Sequence, residues 1–390
     1  MKWKSKGHEF DGVYENIKHK KKFYLMGAGH DGIYVYDVIR KRHNNIEVCG
    51  FIDNDMSKQG KEYCGLKVLS LDEIDFTEDI GVVISIAASV TKELERKLIS
   101  YGLKKGIDFY HYYVFLSVLS AYEKNEIFIP TISYLPSTRC NLRCKACLNF
   151  TTYIKQFKER AWDDVKEDID LFFKHVDCVG LFHISGGEPL LCSYIGKLIE
   201  YISINYGDKI ISLETVTNGT VVPSKEFLDS FRKYEITITV DDYRETLPQY
   251  KEQFDRVVFT LEQNKGRGKV IIKKYDEWLD LLPDASVENT SQSEDELVNK
   301  YNACHVPWQE YKEGKLYNCN YAAYAVNAEI ITEDDYRESY NLKEHNKSKL
   351  KELMEFRLGY SEKGYAEFCK KCAGFLEINE NKVIPALQKR

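Results

Sequence analysis

Along the chain the hydrophobic positions change period, and the changes mark out alternating strands and helices. Phe23-Tyr24-Leu25-Met26 is a continuous apolar run, the pattern of a buried strand, and it stops at Gly27-Ala28-Gly29-His30-Asp31-Gly32. A helical stretch to about His43 follows, then a second strand over residues 46–52 that ends at Asp53-Asn54-Asp55. Residues 67–69 and 82–86 read as further strands, the latter ahead of a helix over residues 91–101. After a linker at residues 122–128 the alternation resumes. Strand patterns cover 131–135, 181–184, 210–217, 236–240, 257–260 and 270–273, and helical periods cover 162–175, 195–206 and 225–234. Strands that alternate with helices imply parallel pairing, so the expected class is α/β. A first module is expected over residues 1–122, a second over 129–298, and a small third region over 299–376. A polar tail, helical or frayed, is expected over 377–390, and the polar stretch 284–296 is expected to wrap the surface.

Composition narrows the classes of partner. The 390 residues can bury a large core, and 43% apolar with 30% charged residues is the balance of a soluble globular protein. A net charge of −6 gives no electrostatic footprint for nucleic acid, so neither DNA nor RNA is an expected partner. The opening MKWKSKGHEF lacks the apolar core of a secretory signal. The longest apolar stretch, 81–90, fits a buried strand, since a membrane span needs about 20 apolar residues. The eleven cysteines are therefore not read as a secreted disulfide framework, and a reducing cytoplasm is the expected location. Cys49, Cys64, Cys178 and Cys192 are scattered and read as structural; the other seven fall into two groups.

The first group is Cys140-Asn-Leu-Arg-Cys144-Lys-Ala-Cys147. Three thiolates with no fourth ligand nearby suit a [4Fe–4S] cluster that keeps one iron open. Half of a zinc site and buried free cysteines are the competing readings; zinc ribbons, however, pair C-x2-C knuckles. Downstream lies His183-Ile184-Ser185-Gly186-Gly187-Glu188-Pro189. Cysteines spaced C-x3-C-x2-C and followed by GGEP resemble the radical S-adenosylmethionine (SAM) superfamily over residues 131 to about 373. The resemblance implies a partial (β/α)6 barrel with functional groups at the C-terminal strand ends. It also implies that the open iron binds SAM, that an electron donor such as flavodoxin or ferredoxin reduces the cluster, and that SAM cleavage yields a 5′-deoxyadenosyl radical. On the same basis Gly186 and Gly187 present carbonyls to the SAM ammonium, Glu188 adds charge there or buttresses the turn, and Pro189 stiffens the exit. Thr217, Asn218 and Thr239 stand where the family approaches SAM, although an ordinary strand-end turn also fits them. Ala146 replaces the family's aromatic residue before the third cysteine, which leaves Phe150 as the candidate for adenine packing.

The second group is Cys304-x9-Gly314-x4-Cys319 with Cys369-x2-Cys372. It resembles the shortened SPASM, or twitch, arrangement that holds one auxiliary [4Fe–4S] cluster, with tetrahedral zinc as the competitor. Gly314 is expected to turn a hairpin that brings Cys304 and Cys319 together. A cluster closed by four thiolates suits electron transfer. If hydrogen is abstracted from a carbinol carbon, deprotonating the hydroxyl gives a reducing radical whose electron the auxiliary cluster can take. That step needs a base within hydrogen-bond reach, and Asp276, Glu277 and Asp241, with Asp242, are the candidates.

In the first module, a G-x-G-x-x-G turn between strand and helix with an acid about 20 residues on is the dinucleotide-binding context. Gly27, Gly29, Gly32 and Asp53 are its candidate contacts. GAGHDG, GFIDND and KEYCGLKVLSLDEI resemble the nucleotide-sugar-binding domain of bacterial sugar acyltransferases. A Rossmann-like module that has lost its ligand stays open. The expected function is dehydrogenation of a carbohydrate-type or nucleotide-linked small molecule. A SPASM-type peptide maturase and a non-catalytic nucleotide-binding scaffold are the alternatives.

Overall fold

The computed structural model describes residues 1–86, 91–283, 292–304, 308–332, 338–375 and 378–389; part of the expected polar stretch, 284–291, lies outside them. The chain divides into two compact units. One comprises Lys4–Phe128 with Leu350–Leu358, the other Met1–Trp3, Ile129–Lys349 and Gly359–Arg390.

The first unit is a six-stranded sheet flanked by helices. Its strands are β1 (Lys22–Met26), β2 (Glu47–Ile52), β3 (Glu62–Tyr63), β4 (Leu66–Leu69), β5 (Ile80–Ile84) and β6 (Phe109–His111), in the order β3-β4-β2-β1-β5-β6. Strand β1 pairs in parallel with both β2 and β5, so it is central, and Phe23, Leu25 and Met26 are buried on it. Its helices are α1 (Asp11–His19), α2 (His30–Arg42), α3 (Thr91–Ser100) and α4 (Tyr112–Lys124). Tyr122 to Lys124, read from the sequence as linker, are the last turn of α4, which closes on Asn125 in the left-handed conformation. Helix Leu350–Arg357 belongs to this unit and buries Leu350, Leu353, Met354 and Phe356; its Glu355 carboxylate accepts the main-chain N–H groups of Gly7 and Glu9. Of the scattered cysteines, Cys178 and Cys192 are buried, but Cys64 is exposed in the β3–β4 turn with φ of 54°.

The second unit is built on β7 (Phe128–Tyr134), β8 (Cys178–Ile184), β9 (Ile210–Thr217), β10 (Thr237–Asp241) and β11 (Lys269–Lys273). They stand in chain order, with β8–β9, β9–β10 and β10–β11 parallel. Connecting them are α5 (Trp162–His175), α6 (Ile195–Tyr206), α7 (Lys225–Lys233) and α8 (Lys251–Asn264). Residues 257–260, expected as a strand, lie within α8. The wider pattern explains the difference: Phe254, Val257 and Leu261 recur at helical spacing and are the buried positions of that helix. A further parallel strand comes instead from later in the chain.

After β12 (Trp278–Leu279) and α9 (Glu294–Cys304), β13 (Gln309–Lys312) pairs in parallel with β7 and opens a hairpin to β14 (Lys315–Tyr317). Helix α10 (Asn320–Asn327) and strand β15 (Ser339–Asn341) follow, and β15 completes the eight-stranded order β11-β10-β9-β8-β7-β13-β14-β15. Lastly, β16 (Lys382–Val383) pairs antiparallel with β12. Within the expected tail the described residues thus carry a short paired strand at Lys382–Val383 and a bridge from Gln388 to Cys144, and no α-helix.

Alternation along the strands separates two faces. Phe182 packs on Phe172 and Phe173 of α5, and Ile184, Leu213, Ile238 and Val240 share its parity and its burial. The opposite face carries His183, Glu214, Thr237, Thr239 and Asp241, all only half-buried.

Candidate active site

Three loops at the ends of β7, β8 and β9 are tied into one frame. Gly187 N–H donates to the Ser137 carbonyl at 3.2 Å, and Glu188 N–H to the Arg139 carbonyl at 2.7 Å. The glycine is required by this approach, since a Cβ at Gly187 would stand 2.4 Å from the Arg139 oxygen and 2.6 Å from that of Thr138. Glu188 is buried; its carboxylate accepts from the N–H of Leu190 at 3.0 Å and of Asn218 at 2.8 Å, and from the Thr217 hydroxyl. Burial pushes its pKa up to about 7, with Asp241 adding to the rise. Of the two roles expected for Glu188, this geometry is that of a buttress. Asn218 donates to Asn141 at 3.1 Å, and Asn141 to Thr220 at 2.7 Å, so the turn after β9 grips the cysteine loop.

Each sulfur of that loop accepts a hydrogen bond. The donors are Leu142 N–H to Cys140 at 3.5 Å, the Gln388 amide to Cys144 at 3.3 Å and the Thr151 hydroxyl to Cys147 at 3.2 Å. Burial, and then the neighbouring thiols, push Cys140 and Cys144 up to about 12. Bound iron would supply the positive charge that three clustered thiolates, Cys144 buried and Cys140 and Cys147 half-buried, need, so the donor set fits an iron–sulfur group. Among the described residues no group of three or more His, Cys, Asp or Glu side chains is placed to hold a metal ion.

The second group also comes together. Cys304 ends α9, Cys319 precedes α10, Cys369 lies in the short helical turn Glu367–Lys370 and Cys372 just beyond it; all four line one cavity with Tyr301, Trp308, Tyr321 and Phe368. The hairpin turns at Glu313-Gly314, both at positive φ (53° and 80°), as a two-residue turn demands. Gly374 N–H donates to Cys372 at 3.2 Å, and the main-chain N–H groups of Phe375, Ala322 and Ala366 serve Cys304, Cys319 and Cys369. Lys300 donates to the carbonyls of Cys369 at 2.8 Å and Cys372 at 2.6 Å, setting a cation beside the cavity.

Residues 134–288 match the radical SAM superfamily. The chain carries a radical SAM domain. That family implies a [4Fe–4S] cluster and SAM, and the cysteine loop 140–147 lies within the matched residues. Residues 19–106 match the C2185-like N-terminal family. A redox-sensing transcriptional repressor Rex from Thermotoga petrophila is 31% identical over 109 residues, 26% of this chain and 52% of the repressor. A GTP 3′,8-cyclase from Mycobacterium bovis is 31% identical over 113 residues, 27% of this chain and 29% of the cyclase. The chain thus spans about half of the one and less than a third of the other. Among solved structures, BtrN in complex with AdoMet and 2-DOIA is 16% identical with a TM-score of 0.38, covering 63% of this chain and 94% of its own. SuiB of Streptococcus suis is 18% identical with a TM-score of 0.30, covering 55% and 48%.

Within the radical SAM domain the remaining candidates separate. Thr239 and Asp241 lie on the half-buried sheet face. Burial pushes Asp241 up to about 6, although the Tyr243 hydroxyl donates to it at 2.7 Å. Asp242 is engaged by Arg244 at 2.8 Å. Asp276 and Glu277 are exposed, and Glu277 pairs with Lys382. Phe150 is enclosed among Leu135, Ile154 and Phe368, with its ring 5.4 Å from that of Phe368.

One polar group went unnoticed in the sequence. Glu310 on β13 is in register with Ser133, accepts from the Tyr324 hydroxyl at 2.9 Å, and that hydroxyl meets Ser133 Oγ at 2.8 Å. Its only signal was a charged residue between apolar-flanked strand positions. Burial pushes Glu310 up to about 7. A carboxyl raised on folding contributes stability below its unfolded pKa of about 4.3 and loses it as pH rises through the folded value. Relative to the parent, Glu310→Gln is therefore expected to hold its melting temperature better as pH rises from 4.5 to 7, a window in which Glu188 and Asp241 titrate with the same sign and the buried His43 and His183 with the opposite one. A scan in which the variant keeps the parent's full slope would show Glu310 ionised throughout.

In the first unit Gly27 takes φ of 118° with Ile86 and Ser85 against it, and a Cβ on Gly32 would meet the Gly27 carbonyl. Gly29 is the N-cap of α2. The Asp53 carboxylate accepts from Ala28 N–H and Lys58 at 2.9 Å each and from Asp55 N–H. Despite burial, those donors hold its pKa below the usual carboxylate range.

Proposed function

We propose that the chain is a radical SAM oxidoreductase that dehydrogenates a hydroxyl-bearing small molecule of the carbohydrate type, free or nucleotide-linked. The reading is carried by the second cavity, where Cys304, Cys319, Cys369 and Cys372 converge and fit an auxiliary [4Fe–4S] cluster. When bound, the first cluster with SAM supplies a hydrogen-abstracting adenosyl radical and the second an electron sink. The protein's part is to orient substrate, exclude water and take a proton. His183, Glu214, Thr237 and Thr239 offer hydrogen-bond partners on the half-buried face, a lining suited to hydroxyls. Asp241 on that face is the preferred base, because burial brings its pKa to about 6, near the pH at which a general base works best. The glycine turn of the first unit is the proposed seat of a nucleotide moiety, and a flavodoxin- or ferredoxin-type protein the proposed electron donor.

The test is anaerobic reconstitution followed by incubation with SAM and a reductant. The expected result is about eight irons per chain, the content of two [4Fe–4S] clusters, with release of 5′-deoxyadenosine and methionine. About four irons with active SAM cleavage would remove the electron sink from the account.

A further inference from the structure

The segment after the second cavity returns to the first cysteine loop. Asn379 anchors it by donating to the carbonyls of Asp280 and Gly374 at 2.9 Å each, and β16 carries it along β12. It then pairs with the cysteine loop itself. Lys145 N–H donates to the Leu387 carbonyl at 2.6 Å, and Lys389 N–H to the Arg143 carbonyl at 2.7 Å. Ala386, fully buried, packs with Leu142, Cys144, Tyr243 and Leu247.

Between these contacts the Gln388 amide is fixed at both ends. Its oxygen accepts Arg143 N–H at 2.8 Å, and its nitrogen donates to Cys144 Sγ at 3.3 Å and to the Ala386 carbonyl at 2.8 Å. A main-chain N–H can only donate, so the amide oxygen must face Arg143 and the NH₂ must face the sulfur.

We propose that Gln388 is a positioning residue for the SAM-binding cluster: its amide N–H on the Cys144 sulfur raises that cluster's reduction potential and holds the cysteine loop closed. Hydrogen bonds to ligand sulfurs are among the features that set cluster potentials, because they stabilise the charge added on reduction. The proposal rests on the cluster of the radical SAM domain alone and is independent of the auxiliary cluster and of the substrate.

The test is a redox titration of the full-length, reconstituted protein, monitored by electron paramagnetic resonance through the signal that SAM perturbs. Gln388→Ala is expected to move the midpoint to more negative potential with iron content retained, and Gln388→Glu further, since a carboxylate then faces the sulfur. Should the alanine variant lose iron, Gln388→Met fills similar volume without a donor and reads the same shift. A midpoint unchanged in a variant that keeps its iron overturns the proposal.

Discussion

Cys144→Ala is expected to abolish SAM cleavage, whereas Cys372→Ala is expected to leave cleavage measurable and to stop product oxidation. Cys144 is 6% exposed, lies between the other two cysteines of its loop, and is packed against Leu142, Tyr243 and Ala386. Cys178 and Cys192 are buried and stand outside the loop in sequence. Two thiolates leave a cluster under-ligated, so the loss should exceed the 10- to 100-fold typical of an outer-shell partner. Cys372 lines the second cavity, where its loss leaves three thiolates and the Lys300 contacts to the carbonyls of Cys369 and Cys372. Cleavage there should fall by less than about 10-fold, because the first loop keeps its own hydrogen bonds. Quantifying 5′-deoxyadenosine and oxidised product separately for each variant checks both halves. Equal losses of cleavage in the two variants would merge the roles proposed for the two cysteine groups.

The contrast between the two groups also shows what a sequence exposes. The first loop was legible because its cysteines are local: six residues lie between Cys140 and Cys147, and the loop follows a strand. Helices α5 and α6 were legible for the same reason, their apolar positions repeating with the helical period over fourteen and twelve residues. A four-residue window failed at 257–260, where Val-Val-Phe-Thr has strand composition but belongs to a longer helical period. Strand β13 was illegible as a neighbour of β7, since that pairing joins residues far apart in sequence and rests on main-chain hydrogen bonds. The segment 382–389 failed similarly: Gln388 and Lys389 carry no pattern, and their role comes from backbone partners at Arg143 and Lys145. Among the acids, position past a strand was not enough to choose. Asp276 and Glu277 lie past β11 as Asp241 ends β10, but they are exposed, whereas burial raises the pKa of Asp241.

Gly187→Ala is expected to cost the protein its cluster. The new methyl carbon meets main-chain oxygens, those of Arg139 and Thr138, which cannot swing aside as a flexible side chain would. Either the turn after β8 or residues 138–139 must move, and Cys140 is the next residue along. The hydrogen bonds Gly187 N–H to Ser137 and Glu188 N–H to Arg139 are then stretched together, and with them the Glu188 buttress that reaches Asn218. Overpacking of a filled site costs about 1–3 kcal/mol. Gly207 provides the matched comparison. It sits in right-handed helical conformation after α6 with nothing within 4 Å of the Cβ position, so Gly207→Ala should leave stability level or slightly raised. Iron content and melting temperature of the two variants, prepared side by side, separate the cases. If Gly187→Ala binds iron as the parent does, the loops after β7 and β8 are not as closely joined as their hydrogen bonds require.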